Sequence, residues 1–159
     1  MKQPQILRYS HQDFKLLAKH TRYQGFFRLD EYQLVHKCFD GSDSEVLTRE
    51  VFERDDAVVL IPYDPVNDTV VLIEQFRPGA IRAADTPWML EFIAGMFKAG
   101  ESPIEVAIRE AKEEADLDIA PENITKVMKY LSSPGGMSEA MYVYIALVDS
   151  TLAGGVYGL

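Results

Sequence analysis

Three glutamates in a five-residue span, Glu110, Glu113 and Glu114, carry the clearest chemistry in this chain. On a helix, Glu110 and Glu114 stand one turn apart on one face, with Glu113 beside them. Like charges at that spacing cost an isolated helix roughly 0.2–0.5 kcal/mol per pair. A hard divalent cation seated on the cluster removes that cost. Mg²⁺ prefers oxygen ligands, takes a few carboxylates and leaves its other positions to water and phosphate. The alternative is an ordinary solvated helix face carrying Glu, Lys and Arg.

The elements that must position these side chains are legible nearby. Ser102 suits an N-cap, Pro103 the first helical position, and Glu105 completes a capping box. Ile104, Ile108, Ala111 and Ala115 form an apolar stripe, which Glu110 and Glu114 flank. Upstream, Tyr32 to Phe39 and Glu45 to Phe52 read as short strands joined by the polar turn 40–44. Ala57 to Tyr63 and Thr69 to Glu74 read as a hairpin around Asp64-Pro65-Val66-Asn67-Asp68, and Trp88 to Ile93 as a strand leading into the glutamate segment. Ile124 to Leu131 and Met141 to Val148 are two more strands. This order predicts an α+β or α/β/α chain with a mixed sheet.

Composition narrows the class. The chain has 159 residues, 47% of them hydrophobic, one domain's worth of sequence able to bury about two-thirds of its unfolded surface. Its single cysteine, Cys38, excludes an internal disulfide framework and a cysteine-based zinc ribbon, and is expected to be a small, at least partly buried residue. A net charge of −9 argues against non-specific binding to nucleic acid or membranes, and an anionic substrate needs local Arg residues and metal to offset it. No apolar run is long enough to span a membrane, and no signal-peptide pattern opens the chain, so a cytoplasmic protein is expected. His11, His20 and His36 have no ligand spacing with the acidic cluster and read as structural.

Gly95, five residues, Glu101, seven residues, then Arg109-Glu110-Ala111-Lys112-Glu113-Glu114 resembles the Nudix box, G-x5-E-x7-R-E-U-x-E-E-x-G-U with U a bulky aliphatic. Leu117 completes the match. Ala111 is small at the first U, and Asp116 stands where the second Gly is expected. That Gly ends the helix in a left-handed conformation, which Asp tolerates better than most residues. The resemblance implies a Nudix-type α/β/α sandwich with a mixed β-sheet, preceded by a β-rich segment over residues 1–50, with the core in 51–159.

Further segments, Tyr23 to Phe27, Arg49 to Arg54, Leu72 to Arg77, Glu91 to Met96 and Ser133 to Glu139, resemble bacterial ADP-ribose pyrophosphatases. That likeness implies Mg²⁺ (or Mn²⁺) held by Glu110, Glu114 and the Ala94 carbonyl, with Glu113 direct or through water. Arg109, Glu113 and Glu114 are the implied catalytic set, Arg109 holding the glutamates through Glu113 or Glu105. Phe26 and Phe27 are implied to stack on adenine, delivered by the partner of a domain-swapped homodimer in which residues 1–50 are the dimerisation segment. Arg49, Glu50, Arg54, Arg77 and Met96 are implied substrate contacts. Ser133, Pro134 and Gly135 would offer backbone N–H groups to the terminal ribose, and Glu139 would accept from a ribose hydroxyl. The implied products are AMP and ribose 5-phosphate. The subfamily's general base is expected beyond Leu159, so the core reads as truncated at its C-terminal end. Two alternatives stay open: a hydrolase of another nucleoside diphosphate derivative such as a nucleotide sugar, and a non-catalytic Nudix ligand-binding module.

Overall fold

The computed structural model describes residues 7–82 and 84–157, so Gly158 and Leu159 lie outside the described residues. The chain divides into two compact units, one of residues 1–54 with 133–138 and one of 55–132 with 139–159.

The first unit is an antiparallel three-stranded sheet of β1 (Phe14–Gln24), β2 (Arg28–His36) and β3 (Leu47–Glu53), in that order. β1 is a long strand beyond the two predicted there, and its register with β2 shifts between Leu16 and Ala18 and between Thr21 and Tyr23. Such irregularities break the period-2 pattern by which a strand is read from sequence. Inside the sheet, Asp30 is fully buried. Burial pushes its carboxyl up, but Lys19 and Arg28, each 2.9 Å away, and Thr21 at 2.8 Å hold it below its ordinary range. Lys19 also pairs with Glu53 at 2.7 Å, tying β1 to β3. Segment 133–138 docks on β3: the Phe52 N–H donates to the Gly136 carbonyl (2.8 Å), and the Ser138 N–H to the Phe52 carbonyl (3.1 Å).

The second unit is built on a mixed sheet in the order β5-β4-β10-β9, with β8 also paired to β4. β4 (Ala57–Asp64) runs parallel to β10 (Ala140–Leu147) and antiparallel to β5 (Thr69–Val70) and β8 (Ile93–Met96). β9 (Ile124–Leu131) is antiparallel to β10, while β6 (Ile73–Phe76) and β7 (Trp88–Glu91) form a separate ribbon. Two predicted strands are thus each divided: Thr69 to Glu74 breaks at Val71-Leu72, and Trp88 to Ile93 at Phe92.

The helix α1 (Pro103–Ala115) covers this sheet. Ser102 and Glu105 form the reciprocal capping box. At the other end Asp116 is left-handed (φ 51°), its N–H donates to the Lys112 carbonyl at 3.2 Å in an αL cap, and the Leu117 N–H reaches back to the Ala111 carbonyl at 3.1 Å. Lys112 pairs with Asp116 at 2.6 Å. The buried face is Val106, Ala107, Ala111 and Ala115, packed with Val58, Leu60, Ile93, Tyr144 and Ala146. Ile104 and Ile108 flank that core, half-buried, so the stripe is rotated from the predicted one. The small alanines let the helix axis approach β4 and β8 closely. Among the described residues α1 is the only α-helix; the other helical turns are 3-10.

At the far end of β4, the buried Asp64 organises the next turn. Its carboxylate accepts from the backbone N–H groups of Val66, Asn67 and Ser150 and from the side chains of Asn67 and Ser150. These bonds, the Asn67 side chain foremost, hold its carboxyl far below the ordinary range.

Candidate active site

β8 delivers Ala94 and Gly95 to one flank of α1, and Glu110 lies directly over Gly95. A Cβ on Gly95 would sit 1.8 Å from Glu110 Oε1. Gly95 is outside the left-handed region, so space rather than backbone freedom calls for glycine here. Glu110 is mostly enclosed, its side chain 13% exposed. Burial pushes its carboxyl up, Arg109 pulls it down, and the nearby charges of Glu114 and Glu113 push it up again; the net direction is upward.

Arg109 binds this corner together. Its Nε and Nη2 form a fork on Glu101 at 2.7 and 3.0 Å. Nη1 donates to Glu110 (2.5 Å) and Glu113 (3.2 Å), and Nη2 also donates to the Met96 carbonyl at 3.1 Å. The fork lowers the Glu101 carboxyl to about 2, and in return holds the guanidinium protonated. Of the two predicted partners, Glu113 is used and Glu105 is not, because Glu105 is committed to the Ser102 backbone at 2.7 Å. The dominant partner is Glu101, brought in by the loop between β8 and α1.

Glu114 faces the other way. Its Oε1 accepts from Gln75 Nε2 on β6 (2.8 Å), and its Oε2 from the Ala94 N–H (3.2 Å). The three glutamates are therefore turned onto protein donors, and among the described residues no three acidic, His or Cys side chains converge on one point. The donor set still suits a hard divalent cation: three carboxylates on one turn, one of them enclosed against Gly95, beside the backbone of Ala94.

The NUDIX domain model matches residues 53–155. The ADP-ribose pyrophosphatase of Escherichia coli (strain K12) is 48% identical over 147 residues, covering 92% of this chain and 69% of that one. That of Haemophilus influenzae is 42% identical over 158 residues, covering 98% and 72%.

This chain belongs to the Nudix family.

A solved ADP compounds hydrolase shares the fold at a TM-score of 0.63 and 25% identity, over 87% of this chain and 69% of that one. A GDP-mannose pyrophosphatase of Yersinia pestis (strain Pestoides F) is 32% identical over 124 residues, 77% of this Nudix chain and 61% of that protein.

The remaining expected residues of this Nudix protein fall into two groups. In the first unit Phe26 is 82% exposed and meets Phe27 edge-on at 4.8 Å. Phe27 packs against Phe52 at 5.0 Å, and the Arg54 guanidinium stands over the Phe27 ring at 5.1 Å. Arg49 and Glu50 lie on β3, where Arg49 donates to the Thr48 carbonyl at 2.8 Å. Ser133, Pro134 and Gly135 form a turn in which the Ser133 carbonyl accepts from the Gly136 and Met137 N–H groups at 3.1 and 2.9 Å. In the second unit Arg77 pairs with Glu91 at 2.7 Å, and the Met96 carbonyl accepts from Arg109 Nη2 at 3.1 Å. Glu139 is buried and accepts from Ser132 Oγ at 3.1 Å. Sequence reasoning did not assign a role to Gln75, and no local pattern marks a strand glutamine as a partner for a helix thirty-nine residues away.

Proposed function

We propose that this Nudix protein hydrolyses the pyrophosphate bond of ADP-ribose to AMP and ribose 5-phosphate. The carrying observation is the glutamate turn of α1, with Glu110 enclosed against Gly95 in a chain 48% identical to an ADP-ribose pyrophosphatase. Glu110, Glu114 and the Ala94 carbonyl are the proposed holders of Mg²⁺ or Mn²⁺, with Glu113 direct or through water. Such a cation neutralises diphosphate charge and lowers the pKa of a water it binds.

The chain's own residues do the rest. Arg109 fixes Glu110 and Glu113 from one guanidinium, so both carboxylates are placed before substrate arrives. Arg77, Arg54 and Arg49 are the proposed phosphate and ribose contacts, suited by their planar forks to oxyanions. Ser133, Pro134, Gly135 and Glu139 are assigned to the terminal ribose, and Glu50 and Met96 line the substrate's path. Phe26 and Phe27 stack on adenine in the partner's pocket, residues 1–50 being the dimerisation segment; the 82% exposure of Phe26 supports that reading. The proposed setting is the cytoplasm, in keeping with the absence of any helix among the described residues long and apolar enough to cross a membrane.

A substrate panel tests the assignment. AMP release from ADP-ribose is expected at a kcat/KM at least tenfold above that for GDP-mannose. A preference for GDP-mannose would transfer the assignment to nucleotide sugars, the reading favoured by the Yersinia relative.

A further inference from the structure

The three box glutamates differ in what holds them. Glu110 and Glu113 share the Arg109 guanidinium. Glu114 makes no ion pair among the described residues; its two oxygens are met by the Gln75 amide and the Ala94 N–H, both neutral donors. We propose that Gln75 is a positioning residue for Glu114, fixing the carboxylate's orientation toward a divalent cation without cancelling its charge. This rests on reading Glu114 as a metal ligand.

The strand supplies the rigidity. Successive side chains of β6 alternate faces, so Ile73 and Gln75 share one. Ile73 packs against the hydrophobic core, and the next residue, Phe76, meets Trp88 edge-on at 5.6 Å on the other. Gln75 itself is registered opposite Met89 of β7. The amide is therefore aimed by a strand held to the core on the face Gln75 shares with Ile73 and kept in register by β7. The chemistry selects the amide. A carboxylate offers about four lone-pair sites. Two are taken by the donors, and two stay open for an ion. A Lys or Arg in place of Gln75 would pair with Glu114 and compete with the ion, and a Glu would repel Glu114 and add anionic charge beside the ion. Outer partners that orient a metal-binding carboxylate typically matter by about 10–100-fold in affinity.

The test is Mn²⁺ binding, read by the electron paramagnetic resonance of free Mn²⁺, on the whole chain, with melting of the metal-free protein measured beside it. Gln75→Met keeps length and volume and removes the donor. It should weaken Mn²⁺ binding by about tenfold or more, with metal-free melting close to that of the parent. Gln75→Leu also removes the donor, without adding charge, and should weaken binding as far. In a Glu114→Gln background, Gln75→Met should have no further effect. If Glu114→Gln weakens binding while Gln75→Met and Gln75→Leu leave it unchanged, the inference is overturned and the metal site stands. An equal loss from Gln75→Met in both backgrounds also overturns it, since a general packing defect does not depend on Glu114. If Glu114→Gln leaves Mn²⁺ affinity intact, the ligand reading itself fails. Should Gln75→Met not fold, Gln75→Leu carries the same comparison.

Discussion

Gly95→Ala separates a glycine kept for space from one kept for backbone freedom. The backbone of Gly95 lies outside the left-handed region. With open space around it, alanine would stabilise the chain by about 0.4–1 kcal/mol through the unfolded state. The space is not open: the new methyl group would stand 1.8 Å from Glu110 Oε1 and 2.0 Å from its Cδ. Restoring an ordinary contact of about 3.5 Å requires the carboxyl to retreat by about 1.5 Å. That movement forces Glu110 off its rotamer, at about 0.5–1.5 kcal/mol, and breaks its bond from Arg109, worth about 1–2 kcal/mol at this mostly enclosed site. The sign of the stability change is therefore reversed, to a loss of about 1–3 kcal/mol. A misplacement of about 1 Å in a catalytic group costs about a hundredfold in rate. Urea denaturation and Mg²⁺-dependent AMP release from ADP-ribose measure the two effects. A Gly95→Ala protein that is more stable than the parent and equally active would refute the close approach of Glu110.

Ser102→Ala removes the N-cap of α1 and should cost about 0.5–2 kcal/mol in chemical denaturation; no loss would mean the capping box is not formed in solution. Asp64 has a depressed carboxyl pKa in the fold, so its contribution to stability is present above its unfolded value of about 3.9 and is lost as pH falls below it. Asp64→Asn should therefore melt well below the parent at pH 7, with the gap narrowing as pH falls below about 4; a gap constant across that range would contradict the assignment. Mixing a Phe27→Ala, Arg49→Ala variant with a Glu114→Gln variant should restore one working site per mixed dimer, if the first fifty residues serve the partner. No recovery after verified subunit exchange would count against shared sites.

What the sequence disclosed was local. The helix bounds, its capping box and the left-handed Asp116 follow from neighbours within one turn, and each stands where the residues predict it. β1 was not separately predicted because its residues are largely exposed and its irregular register erases any alternation. The breaks at Val71-Leu72 and Phe92 fall inside apolar runs, where hydrophobicity gives no sign of a corner. In the site, the spacing exposed the glutamates and Gly95 but not the reason for Gly95, which is the side chain lying across it. Helical spacing named Glu105 and Glu113 as partners of Arg109; the fork on Glu101 depends on how the loop 97–101 folds back, which no periodicity encodes. The links from Gln75 to Glu114 and from Asp64 to Ser150 are tertiary, across thirty-nine and eighty-six residues.

The most direct test of the central claim, pyrophosphate hydrolysis at the glutamate turn of α1, is AMP release from ADP-ribose at limiting Mg²⁺, comparing the protein expressed from its whole gene with its Glu114→Gln variant. The substitution removes one anionic oxygen donor and almost no volume. The account predicts Mg²⁺-dependent AMP release by the parent and its loss in the variant, with both proteins melting alike without metal. AMP release by the variant at the parent's rate would contradict it.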